Sequence, residues 1–201
     1  MKKNKKLMIW GSNLFLGMTF DNSKDGYVYL ASSCIMQLHN KYNVSNFSMN
    51  HLSSGKALHY LLKALKYDNN YDVALLELGF VDLINIANQN EELNDFETNL
   101  SSMIEVLIIN KIKPYLTTLF PIDFDKMVNH YKLSIDSKQL GLIYKRINRV
   151  IKNLAIKYEI DLLDDNRALS KNKEEYVSTD GVSISCSGQN VLFNMINRKN
   201  L

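Results

Sequence analysis

Cysteine and proline are scarce in this chain of 201 residues, which has two of each. Cys34 and Cys186 lie far apart and have no metal-type spacing, so a disulfide framework is excluded and a reducing compartment fits. Both are expected to be small buried hydrophobes. Pro114 and Pro121 bracket a single apolar run, where a fixed φ and a missing donor do least harm. No run approaches the roughly 18 to 20 apolar residues of a membrane span. The basic start Lys2–Lys6 precedes LMIW, but Gly11, Ser12 and Asn13 break that run too early for a signal peptide. The expectation is a cytoplasmic chain with no membrane span. The formal charge of +3 is spread out rather than gathered into a stripe, which argues against a nucleic-acid partner. Of the four histidines, His39, His59 and His130 have no matching acidic or cysteine partner, so no metal site and no cofactor is expected.

What is present points to an α/β fold. With 46% hydrophobic and 22% charged residues the chain can bury one sizeable core, and a single domain over residues 1–201 is expected. Five short apolar runs, Lys6–Trp10, Val44–Phe47, Val73–Leu78, Pro114–Phe120 and Ile160–Leu163, are continuous rather than alternating. Strands buried on both faces of a parallel sheet read this way. Between and after them, helical spacing covers Tyr27–His39, Ser54–Lys66, Phe96–Asn110, Leu140–Tyr158 and Ser187–Asn197. Tyr27, Tyr29 and Tyr42 are read as a packed helix face. The alternation predicts an α/β/α sandwich of three layers around a five-stranded, mainly parallel sheet.

In such sheets the functional crevice lies beyond the carboxyl ends of the strands. Four segments there, GSNLFLG (Gly11–Gly17), NFSMNHLSS (Asn46–Ser54), ELGFVDL (Glu77–Leu83) and STDGVSISCSG (Ser178–Gly188), together resemble the SGNH, or GDSL-type, hydrolases. That resemblance spans nearly the whole chain and implies a flavodoxin-like fold, with esterases, lipases and carbohydrate deacetylases as the functional relatives. Gly11, Gly17, Asn46, Gly79, Asp82, Asp180, Gly181 and Gly188 match the family pattern. The residues that name the family do not. Asn13 stands at the nucleophilic serine, Ser48 at the oxyanion glycine, Val81 at the oxyanion asparagine and Ser183 at the catalytic histidine.

The chemistry needs each of those groups. A serine attacks only when a base takes its proton, and the developing oxyanion must meet oriented donors. Losing a triad serine or histidine alone costs on the order of 10⁶ in turnover. The expectation is therefore a pseudoenzyme whose crevice binds a small acyl or glycan-type ligand, through Ser12, Asn13, Ser48, Asp82 and Ser183, or whose surface serves a protein partner. The alternative is an esterase, deacetylase or acyl-transfer enzyme with a rearranged set, Ser12, His51 and Asp180. Without an imidazole to orient, Asp180 is expected to cap its turn through backbone amides. Asp123 and Asp125 are read as a polar loop rather than a carboxylate pair.

Overall fold

A computed structural model describes residues 5–11, 14–199 and 201. Its central sheet is formed by β1 (Lys6–Gly11), β4 (Asn43–Asn46), β5 (Val73–Glu77), β6 (Lys113–Thr117) and β7 (Asp161–Leu163), in the order β4-β1-β5-β6-β7. Every pairing is parallel, with Ile9 opposite Leu75, Leu75 opposite Tyr115 and Leu116 opposite Leu162. The continuous apolar runs explain this. All five residues of β5 are buried, as are Leu7, Met8, Ile9 and Trp10 of β1, so helices must cover both faces.

One helical layer contains α2 (Ser54–Tyr67), α4 (Leu93–Ile109) and α6 (Ser137–Lys157), joined by the shorter α3 (Phe80–Ala87) and α5 (Phe124–Tyr131). On α6, Leu140, Ile143, Ile147, Val150, Ile151 and Leu154 form a buried stripe at spacings of three and four. A second group has α1 (Cys34–His39), α7 (Asp165–Leu169) and α8 (Lys173–Tyr176) packed around α9 (Cys186–Arg198). The strand order reverses between β1 and β5, and that switch point fixes where the crevice opens.

The segment read as a helix from Tyr27 differs from the expectation. Met18–Asp21 (β2) and Gly26–Tyr29 (β3) form an antiparallel hairpin, and the helix is confined to Cys34–His39. The cause is local. Asp21 closes the turn by accepting from the Ser23 amide at 2.9 Å and the Ser23 hydroxyl at 2.7 Å, and Asp25 takes a left-handed φ of 45° just before Gly26. Aromatic and β-branched residues in GYVY then favour extended backbone. Tyr27 and Tyr29 therefore lie on a strand and Tyr42 follows α1, so the three tyrosines share no helix face. Cys34 is buried as expected, whereas Cys186 is exposed at the start of α9, its sulfur 3.1 Å from the Ser32 hydroxyl. Among the described residues, no helix is long and apolar enough to cross a membrane.

Candidate functional site

A cavity of about 410 Å³ opens beyond the carboxyl ends of β1, β5 and β6. Leu14 and Leu16 reach it from the 3-10 turn Leu14–Leu16, Phe80, Val81 and Ile84 from α3, and Phe120 from the segment after β6. Met127 and Tyr131 of α5, Met18 and Tyr27 of the hairpin, and Val182, Ser183 and Ile184 complete most of the wall. The rings of Phe80 and Phe120 stack, with centroids 6.3 Å apart. The lining is dominated by hydrocarbon; its polar members are Asn50, His51, Asn85, Ser183 and the two phenols.

Gly79 sets the entry to α3. Its φ of 117° is closed to most side chains, and a Cβ there would meet Ile147 Cγ2 at 2.9 Å and the Phe96 ring at 3.3 Å. The turn carries Val81 to the cavity wall and directs Asp82 to the other side. Asp82 is buried, and its carboxylate accepts from the Ser54 amide at 3.0 Å and the Ser54 hydroxyl at 2.6 Å, at the first turn of α2. Asp82 therefore holds α2 and does not face the cavity. Burial pushes its pKa up to about 6, against the hydrogen bonds from Ser54, which lower it.

The raised value fixes the sign of a pH effect. Between the ordinary value of 3.8 and about 6, the folded chain holds a proton that the unfolded chain releases. The contribution of Asp82 to stability is therefore greatest at low pH and is lost as pH rises through about 6. Going from about pH 7 to about pH 4, wild type should gain on the order of 2 kcal/mol relative to Asp82→Asn. Paired urea melts at the two pH values measure this, and a constant difference would refute it.

The last segment is built around Asp180, which is fully buried. Its Oδ1 accepts from the Val182 amide at 3.1 Å and the Ser183 amide at 2.9 Å, and its Oδ2 accepts from the Ser183 hydroxyl at 2.5 Å. Ser183 thus donates to this buried carboxylate and brings no base of its own. Two further donors converge on the same oxygen, the Tyr27 and Tyr131 hydroxyls at 3.3 Å each, and these phenols also contact one another. Burial raises the pKa of both phenols, and the nearby Asp180 charge adds to the effect, so they remain protonated at neutral pH. The hairpin is tied to this segment by Thr19 with Ser178 at 2.7 Å and by the Thr179 hydroxyl donating to Asn22 at 2.6 Å.

The remaining candidates divide. Val81, His51 and Ser183 line the cavity, and His51 is an exposed turn residue with φ 58°. Ser48 is not on that wall. Its amide donates to Asn46 Oδ1 at 3.1 Å, and its hydroxyl is buried without a partner among the described residues. Ser12 and Asn13 lie outside the described residues. Asp123 is not a loop carboxylate but the N-cap of α5, accepting from the Lys126 amide at 3.2 Å, and Asp125 belongs to that helix's first turn. His39 ends α1, His59 is on α2, and His130 is on α5 edge-on to Phe20. Among the described residues, no group of three or more His, Cys, Asp or Glu side chains is arranged to hold a metal ion.

This fold recurs among solved structures. An acetyl xylan esterase superposes with a TM-score of 0.74 at 17% identity, covering 98% of this chain and 100% of its own. A lipase/acylhydrolase from Enterococcus faecalis gives 0.73 at 17% identity, covering 97% and 94%. The chain has the SGNH hydrolase fold. A GDSL-like lipase from Bacteroides thetaiotaomicron adds a third SGNH likeness, at a TM-score of 0.72 and 18% identity over 100% of this chain and 91% of that one. No family model matches the sequence, and no curated protein matches it. Sequence reasoning missed Tyr27 and Tyr131 as site residues of this SGNH scaffold. The one available signal was Asp25-Gly26 between two aromatic-rich runs, which marks a hairpin and would have put Tyr27 on a strand.

Proposed function

We propose that this SGNH-fold chain is a pseudoenzyme whose crevice holds a small ligand with an aliphatic, acyl-like chain. The observation that carries the reading is the Asp180–Ser183 pair beside an apolar cavity, with Ser183 in its lining: on the family alignment, this hydroxyl stands where a base would be needed. Serine cannot take a proton from a nucleophile near neutral pH. Val81 offers no side-chain donor to an oxyanion, and the Ser48 amide is engaged by Asn46. The hydrocarbon lining favours an aliphatic chain over a glycan, which would leave its hydroxyls without partners. The alternative set Ser12, His51 and Asp180 is disfavoured because Ser183, Tyr27 and Tyr131 all crowd the Asp180 carboxylate, with His51 absent from its partners.

The test pairs chromogenic short-chain esters with a fluorophosphonate probe. Hydrolysis at the buffer rate and no covalent labelling are expected. Turnover abolished by Ser12→Ala or His51→Ala would replace this reading with the rearranged enzyme.

A further inference from the structure

We infer that the rim of the cavity selects a ligand whose aliphatic chain ends in a protonated primary amine. The inference rests on the ligand-binding reading above and names the head group that such a ligand carries. Tyr27 and Tyr131 are 44% and 39% exposed and lie at the mouth, while Phe80 and Phe120 line the apolar part, so the polar end of a bound amphiphile is placed at the phenols.

The direction of the hydrogen bonds decides what that end accepts. Asp180 is the strongest acceptor in reach, and the hydroxyls of Ser183, Tyr27 and Tyr131 all lie within hydrogen-bond distance of its Oδ2. With their protons directed to the carboxylate or to each other, the three oxygens present lone pairs to the cavity. A group that donates hydrogen bonds is satisfied there, and one that only accepts them is not.

Charge acts in the same direction. Asp180 is fully buried behind the hydroxyls, and none of the described lining residues is a lysine or arginine. A carboxylate head would face a buried negative charge without a cation to balance it. An ammonium, protonated at neutral pH like the lysine side chain with its pKa of about 10.4, would meet that charge and the hydroxyl lone pairs. An imidazole at position 183 would bring its own donor to Asp180 and fill this place, so the loss of the family's histidine and the gain of an acceptor-lined rim are one change.

The test measures binding of n-octylamine, 1-octanol and octanoate to the intact chain by calorimetry, each below its aggregation concentration. Octylamine should bind about tenfold more tightly than octanoate, with octanol between them. Val81→Trp, which fills the cavity, should abolish binding of all three. Asp180→Asn, which keeps the shape and removes the charge, should erase the preference for the amine.

Octanoate binding as tightly as octylamine overturns the head-group inference and leaves the aliphatic cavity standing. Binding of none of the three overturns both. An amine that binds Val81→Trp undiminished is bound elsewhere, which also overturns the inference, as does an unchanged preference in Asp180→Asn. Should that variant not fold, the wild-type series alone decides.

Discussion

Asp180→Ala should lower the melting temperature by at least about 6 °C, corresponding to about 3 kcal/mol or more in a chain of this size. The carboxylate terminates two backbone donors, Val182 and Ser183, and the Ser183 hydroxyl, all in a segment that is almost wholly buried. An alanine leaves these donors without an acceptor and without access to water, and each such group costs about 1 to 3 kcal/mol. The neighbouring backbone cannot readily rearrange. Gly181 takes a φ of 81°, and even its own Cβ would lie 2.5 Å from the Asp123 carbonyl oxygen, so the turn is pressed against α5. Tyr27 and Tyr131, by contrast, can turn to solvent. Thermal melts followed by circular dichroism measure the effect. A loss smaller than about 2 °C would mean that Asp180 does not hold the segment.

Restoring Asn13→Ser, Val81→Asn and Ser183→His together should raise p-nitrophenyl acetate hydrolysis measurably above the buffer rate. Each single restoration should do almost nothing, because triad members act as a unit. The two phenols give this prediction its second part. A new imidazole must take the Asp180 oxygen to which Tyr27 and Tyr131 now direct their hydroxyls, and competition there displaces it from the attacking geometry. Misplacement of about 1 Å can cost roughly a hundredfold. Adding Tyr131→Ala to the triple variant should therefore increase the rate further, on the order of tenfold. A quadruple variant no faster than the triple one would mean that the phenols do not control access to Asp180. A folded triple variant with no activity would mean that the crevice no longer holds the family's geometry.

The parallel sheet was legible in the sequence because burial on both faces leaves a plain mark. VALL and LMIW are apolar throughout, and every one of the five apolar runs became a strand of the sheet. The long helices were legible for a similar reason, since the stripe on α6 needs no tertiary partner to be recognised. The hairpin was not read, because Tyr27, Val28 and Tyr29 followed by Ile35 and Leu38 also fit a helical period. Asp25-Gly26 decided the matter locally. The phenol pair had no sequence signature, since Tyr27 and Tyr131 are 104 residues apart and meet only because the hairpin and α5 flank the same carboxylate. Asp82 illustrates the same limit: its block matched the family, yet its partner, Ser54, belongs to a different element 28 residues earlier.

The hairpin's attachments also set the order in which the cavity can come into being. Thr19 and Ser178 are 159 residues apart, and Tyr27 and Asp180 are 153 apart, so the first and last quarters of the chain supply facing walls. During synthesis from the amino terminus, the hairpin and the 3-10 turn emerge long before residues 177–184. The walls from α3, the segment after β6 and α5 follow in turn, but the wall of Val182, Ser183 and Ile184 closes the cavity only when nearly the whole chain has left the ribosome. A nascent chain can thus acquire its sheet progressively, but its ligand pocket closes only in a late event, and a chain truncated before Ser178 has no complete pocket to fill.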